Sequence, residues 1–250
     1  MRDVHIWYRE TESLGPDAIG AAEATLSADE RTRCDRFHFS HDRRDYAVAH
    51  DLLRRSLSRY SPVPPAEWRF DTDQYGKPSI KRSGEPSPSF SLSHTRGLVA
   101  CAIASGMQVG VDVERVERNI ATTDLAERYF SPDEAAALRH CHENARTRRF
   151  AELWTLKEAY IKAIGLGLSQ VLAEFSFELD EDGSIGVKPP PRADSGLWHF
   201  AVFAPSHHTR LAVAVRGNDG DRLRFIARGA GGSSASDDGH RIDPLRTSVR

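Results

Sequence analysis

A chain of 250 residues, 39% hydrophobic and 28% charged, can form one large domain or two small ones around a substantial core. Its formal net charge of −2 offers no global attraction for nucleic acid or an anionic membrane, and no stretch approaches the ~20 apolar residues of a membrane span. Cys34, Cys101 and Cys141 are odd in number and form no C-x-x-C pair, which disfavours a disulfide framework or structural zinc and points to a reducing compartment.

In chain order, the opening "MRDVHIWYRE" lacks the pattern of a signal peptide, so a soluble cytoplasmic protein is expected. "TLSADERTRC" carries an S-x-x-E capping box, Ser27 with Glu30, and so predicts a helix start. From Arg31 to Arg59 there are eight arginines, four aspartates and three histidines. That run is either a solvated helical face or a landing site for an anionic ligand or acidic partner. Apolar periodicity predicts a helix over 44–60. Strands follow at "EWRFDT" and "SFSLSHTRGLVACAIA", with a turn at "YGKP" between them, and then "GVDVERV" from Gly110 to Val116. A second capping box, Ser131 with Glu134, has Pro132 at the first helical position. A second long helix is predicted over 148–164, then a glycine cap at Gly165 with a turn at Gly167. Strands are expected at "EFSFELDEDGSIGV", "WHFAVFAP" and "TRLAVAV". From about Arg228 onward, glycine, serine and charge predict a disordered tail over 228–250.

The same order of elements thus occurs twice, about 104 residues apart. The expected fold is α+β: two similar halves, each a helix on a small antiparallel sheet, related by a pseudo-twofold. The halves span 1–108 and 109–216, with the active site in the cleft between them.

Three stretches carry candidate chemistry. In "GVDVE", strand alternation puts Val111 and Val113 into a core and Asp112 with Glu114 on the other face. Two such carboxylates suit a hard divalent ion; the alternative is a half-exposed strand neutralised by Arg115 and Arg118. In "WTLKEAYIKAI", Glu158 and Lys162 stand one turn apart on a helix that is apolar nearly all round. A surface pair of that kind contributes only ~0.3–0.5 kcal/mol, so the charges either meet a ligand or metal or snorkel to water, and snorkelling is the reading for Lys157. In "FSLSHT", Ser93 and His94 either donate to a phosphate or close a strand end with local hydrogen bonds. The chain uses only five lysines, Lys77, Lys81, Lys157, Lys162 and Lys188, against 29 arginines, which singles out positions where a compact ammonium is wanted.

"YGKP" (75–78), "FSLSHT" (90–95), "GVDVE" (110–114) and "WTLKEAYIK" (154–162), in that order, resemble the 4′-phosphopantetheinyl transferase superfamily, of the larger Sfp type. The resemblance runs from about Leu26 to Ser169, with compatible strands to about Val215. It implies transfer of the phosphopantetheine arm of coenzyme A to a serine of an acyl, peptidyl or aryl carrier protein domain, releasing adenosine 3′,5′-bisphosphate. It further implies Mg²⁺, or Mn²⁺, on Asp112, Glu114 and Glu158, with Glu158 also the general base for the carrier serine. Lys162 would meet the phosphate and the leaving group, while Arg33, Lys77, Ser93, His94 and Asp112 would hold coenzyme A. A monomer, an internal pseudodimer, is implied, with no nucleic acid or membrane as partner. Two positions depart from the family pattern: Ser91 stands for asparagine and Thr95 for serine. Arg33 stands with Glu30 where close relatives use lysine. The competing readings are a non-catalytic coenzyme A or nucleotide-binding module and a metal-dependent phosphoesterase or nuclease.

Overall fold

In a computed structural model of the chain, the structure describes residues 2–81, 88–116, 122–165, 171–190, 196–218, 221–231 and 238–248. Arg118 and Gly167, singled out above, lie outside them.

Both capping boxes form. Ser27 opens α2 (Ala28–Asp35) and Ser131 opens α5 (Pro132–His140), each with reciprocal serine and glutamate bonds. The two long helices are α3 (Ser40–Leu57) and α6 (Glu143–Ile164), and α6 ends at Gly165 with φ +77°, a left-handed cap. Two shorter helices, α1 (Pro16–Glu23) and α4 (Thr122–Tyr129), were not anticipated.

A five-stranded sheet has β1 (Arg2–Glu10) at its centre. On one side lie β5 (Leu98–Ser105) and β4 (Pro88–Thr95); on the other lie β11 (Leu223–Ala230) and β12 (Asp238–Ile242). A four-stranded sheet runs from β6 (Gln108–Arg115) through β10 (Thr209–Gly217) and β9 (Leu197–Phe203) to β13 (Arg246–Thr247). Two hairpins, β2 (Phe70–Thr72) with β3 (Pro78–Ile80) and β7 (Ser176–Leu179) with β8 (Ile185–Lys188), flank them. The α+β expectation holds, with one difference: β11 pairs parallel with β1, so the first sheet is not wholly antiparallel and draws two strands from beyond residue 216.

The tail expectation is corrected. Composition suggested too little to bury over 228–250, yet among the described residues of that stretch 238–242 pair with β11 and 246–247 with β9. The chain then crosses within three residues to β13, where Arg246 Nε donates to Glu152 Oε2 on α6 at 3.0 Å. Backbone pairing, with Ile242 packed against the inner core, holds this segment, and composition does not report pairing.

Strand alternation sorts the side chains into layers. Val4, Ile6, Ala100 and Ala102 of one sheet meet Val111, Val113, Leu211 and Val213 of the other in a shared inner core. The outer face of the five-stranded sheet is covered by α3 through Leu52, Leu53 and Leu57. The outer face of the four-stranded sheet is covered by α6 through Leu153, Leu156 and Tyr160.

Each long helix also buries a cation in the same setting. Arg54 of α3 donates to Glu30 Oε2 at 2.6 Å and to the carbonyls of Pro65 and Trp68 at 3.0 Å each. Lys157 of α6 lies 2.8 Å from Glu134 Oε2 and donates to the carbonyls of Leu172 and Phe175 at 2.8 and 2.6 Å. In both halves the acid belongs to the capping box, and both carbonyls flank a short 3₁₀ turn, Pro65–Glu67 or Leu172–Glu174. This corrects the snorkelling reading of Lys157, which is 0% exposed. Its ammonium is satisfied inside, so it has no need to reach water. Desolvation pulls its pKa down while Glu134 opposes that.

Gly110 lets α6 approach β6. A Cβ there would stand 2.0 Å from the Ala159 carbonyl oxygen and 2.5 Å from Ala163 N. Among the described residues no helix is long and apolar enough to cross a membrane.

Three outcomes are expected in denaturant titrations. Gly110→Ala should destabilise by about 3 kcal/mol, because backbone rather than a flexible side chain is in the way. Gly20→Ala, with nothing within 4 Å of its Cβ inside α1, should instead gain about 0.5–1 kcal/mol. Lys157→Met should cost about 3–5 kcal/mol by stranding the Glu134 charge, and adding Glu134→Gln should recover part of the loss.

Candidate active site

The site forms where the edges of the two sheets meet. Asp112 and Glu114 project from β6 on the face turned toward α6, as alternation requires, since Val111 and Val113 occupy the inner core. α6 brings Glu158 and Lys162 to the same place, and β4 brings Ser93 and His94. These residues, with Leu92 and Trp154, line one cavity. Lys162 does not face Glu158 as an ordinary i, i+4 pair. Its Nζ lies 2.7 Å from Asp112 Oδ1 and 2.8 Å from Ser93 Oγ, and Ser93 in turn donates to Asp112 Oδ1 at 2.9 Å.

A second cavity opens on the other side of Lys162. It is lined by Tyr75, Gly76, Lys77 and Pro78 of the β2–β3 hairpin, by Phe90 to Leu92 of β4, and by Glu158, Ile161, Lys162 and Gly165. Glu158 and Lys162 belong to both walls. Lys77 Nζ donates to the Ala163 carbonyl at 2.7 Å and so ties the hairpin to the end of α6, whose last carbonyls lack helical partners. Desolvation lowers the Lys77 pKa, with Asp73 opposing.

The acids are held against their own repulsion. Burial pushes the Glu114 carboxyl up to about 7; the charges of Asp112 and Glu158 add to the shift and Lys162 opposes it. Glu158 is raised for the same reasons, burial first and Asp112 next. Thr95 Oγ1 stands 3.5 Å from Glu114 Oε2. His94 is exposed, and the protein packed around it lowers its pKa, with Asp45 opposing.

Whether the acids suit a metal is decided by donor chemistry. Among the described residues no three His, Cys, Asp or Glu side chains converge into a closed ligand cluster. Yet Asp112 Oδ2 is buried with no hydrogen-bond partner, beside two carboxylates whose pKa values are raised by burial first and by neighbouring acid charge next. An unpaired buried oxygen and crowded hard carboxylates fit a divalent cation of the Mg²⁺ or Mn²⁺ kind.

The structure therefore gathers Asp112, Glu114, Glu158, Lys162, Ser93 and His94 at one cavity and Lys77 at the adjoining one. Arg33 is not brought to either wall; it is exposed on α2, its charge acting on Tyr46, whose ring contacts His50. Three contributors escaped the sequence reading. Gly110 permits the helix approach, and its signal was available: it stands two residues before Asp112, on the same strand face. Trp154 walls the acid cavity, although its helical position marked it as core. Asp45, 2% exposed, accepts from Thr11 Oγ1, from Gly97 N at 3.0 Å and from Arg44 Nε at 3.2 Å, and so braces the turn after His94. No local pattern marks Asp45, because two of its three partners, Thr11 and Gly97, come from distant segments.

Comparison with known proteins agrees with this geometry. The model of the 4′-phosphopantetheinyl transferase superfamily matches residues 108–215, and that of the 4′-phosphopantetheinyl transferase N-terminal region matches 16–106. The chain is 32% identical to the 4′-phosphopantetheinyl transferase HetI of Nostoc sp., over 86% of this chain and 88% of that one. It is 33% identical to a phosphopantetheinyl transferase of Thraustochytrium sp., over 90% and 83%. It is also 33% identical to the 4′-phosphopantetheinyl transferase Sfp of Bacillus subtilis, over 66% and 71%. A holo-(acyl-carrier-protein) synthase of Bacillus anthracis, solved in complex with CoA, superposes with a TM-score of 0.39 and 20% identity over 45% of this chain and 96% of that one, too partial a match to bear on the chemistry. The chain belongs to the 4′-phosphopantetheinyl transferase superfamily, and its relatives are of the Sfp type.

The raised Glu114 pKa fixes the sign of a pH effect. The folded state holds this proton more tightly than the unfolded chain, so the group favours folding below pH 4.5 and that contribution is lost as pH rises to about 7. With chelator present, Glu114→Gln should flatten this decline and be more stable than the parent above pH 7. Urea titrations across that range measure it; a variant with an unchanged slope would contradict the assignment.

Proposed function

We propose that this protein transfers the 4′-phosphopantetheine arm of coenzyme A to a serine hydroxyl of an acyl, peptidyl or aryl carrier protein domain, releasing adenosine 3′,5′-bisphosphate. The observation that carries this reading is Lys162: its ammonium meets Asp112 and Ser93 at the seam between the halves, beside the two raised carboxyls, on the shared wall of two adjoining cavities.

The roles follow from the chemistry available at each position. Transfer of a phosphoryl-type group needs positioning and charge neutralisation more than covalent help. Asp112, Glu114 and Glu158 would hold Mg²⁺ or Mn²⁺, which when bound neutralises phosphate charge. Lys162 carries its positive charge to the phosphate and the leaving bisphosphate. Glu158 takes the proton from the carrier serine; its raised pKa brings it nearer neutrality, where a general base works best. Lys77 lines the second cavity, the assigned place for the adenosine end, while Ser93, bonded to the shared Lys162, and His94 line the acid cavity beside it. Arg33 reads as a peripheral contact for the same end, in keeping with its exposure. The arginines between Arg31 and Arg59 offer a surface for an acidic carrier. A monomer fits the two-half architecture, and three free cysteines agree with a reducing compartment such as the cytoplasm.

The test is incubation with coenzyme A, Mg²⁺ and a panel of apo carrier domains, with each carrier weighed by mass spectrometry. Holo carrier is expected for at least one. Glu158→Gln and Asp112→Asn should each lower the transfer rate by about 100-fold or more while the protein stays folded. A panel with no mass gain, or full activity in both variants, would refute the assignment.

A further inference from the structure

Strand β4 carries four hydroxyls at alternate positions, Ser89, Ser91, Ser93 and Thr95, and therefore on one face; the last three reach β6. β4 and β6 are the facing edges of different sheets and share no backbone pairing. The hydroxyls bridge the gap instead. Ser91 Oγ accepts from Val111 N at 3.0 Å, Ser93 Oγ donates to Asp112 Oδ1 at 2.9 Å, and Thr95 Oγ1 donates to Glu114 Oε2 at 3.5 Å.

We propose that this hydroxyl ladder sets the register between the two halves, and that Ser91 and Thr95 are positioning residues for the metal-holding acids. The inference rests on the assignment of Asp112 and Glu114 made above. Ser91, 7% exposed, fixes the backbone one residue before Asp112 and satisfies an N–H at the edge of the four-stranded sheet. Without its hydroxyl that buried donor is left unmet, and the strand bearing the acids loses its tie to β4. Thr95 lines neither cavity, and it holds the far end of the Glu114 carboxylate against repulsion from Asp112 and Glu158. Without it, that repulsion turns Glu114 outward and separates the acid set. For Thr95 the consequence falls on the metal more than on coenzyme A, whose adenosine end is assigned to the second cavity.

The experiment is direct Mn²⁺ binding to the full-length protein, followed by electron paramagnetic resonance, beside coenzyme A binding measured by calorimetry without metal. Thr95→Val and Ser91→Ala should each weaken Mn²⁺ by about 10-fold, the effect expected for partners that orient ligating carboxylates. In Thr95→Val, whose position lines neither cavity, coenzyme A affinity should stay within about twofold, and Thr95→Ser should restore Mn²⁺ binding. Thr95 is only half-buried and Thr95→Val keeps the shape of the side chain, so it remains a folded test if Ser91→Ala is too unstable. The inference is overturned if both variants bind Mn²⁺ like the parent, if Thr95→Ser behaves like Thr95→Val, or if the parent shows no saturable Mn²⁺ binding. Neither turnover nor a carrier enters the measurement. A protein that passes it but modifies no carrier therefore defeats the transferase reading and leaves the ladder standing.

Discussion

The buried cation beneath each long helix is the constraint on which the rest depends. Lys157 and Arg54 are both fully enclosed, and each is met by a capping-box glutamate and by two carbonyls of the following 3₁₀ turn. Such a hub couples three segments at once: the short helix that supplies the acid, the long helix that supplies the cation, and the link that supplies the carbonyls. Removing any one strands a charge or a polar group in a dry interior, so the segments hold each other in place. The hub fixes where α6 lies along its sheet, and therefore where Glu158 and Lys162 arrive. That one half uses arginine and the other lysine, in otherwise matching surroundings, fits two halves built on one plan.

Given that frame, the site is a product of two close approaches. Gly110 brings α6 within backbone contact of β6, and the hydroxyls of β4 bring the other half to the opposite edge of the same strand. Lys162 spans the result, bonded to Ser93 of one half and Asp112 of the other. The arrangement is locally unfavourable. It crowds three carboxylates, raises two of their pKa values and leaves Asp112 Oδ2 without a partner. Strain of this electrostatic kind is usual where a cation and a polyanionic ligand are to be bound, and the hubs supply the rigidity that keeps it from relaxing.

Much of this was legible beforehand, for identifiable reasons. Ser27 with Glu30 and Ser131 with Glu134 announce helix starts because capping is a four-residue affair, and both boxes formed as read. Gly165 announced a helix end because only a left-handed residue closes it cheaply. Alternation in "GVDVE" placed the valines inside and the acids together, and the structure gathers those acids with Glu158 and Lys162 at one cavity. Lys157 was misread because a helical lysine looks the same whether its head reaches water or a buried acid. The final strands were missed because pairing partners such as Leu223 with Arg2 lie at opposite ends of the chain. Arg33 matched a pattern by position, yet its side chain stays outside both cavities.

The sequence by itself determined what is local: the two capping boxes, the long helices, the strand alternation that turns Asp112 and Glu114 to one side, and the ordered motifs that mark the superfamily. Each depends on residues within a few positions of one another, where backbone geometry leaves few choices. Only the tertiary structure decided that Lys157 is a buried hub and not a surface charge, and that residues 238–248 clasp the far edges of both sheets. It alone put Lys162 on Asp112 instead of Glu158, and Ser91 and Thr95 on the strand that bears the acids. Those outcomes depend on which distant groups compete for the same donor or the same edge, and burial, which settles that competition, exists only once the chain has closed on itself.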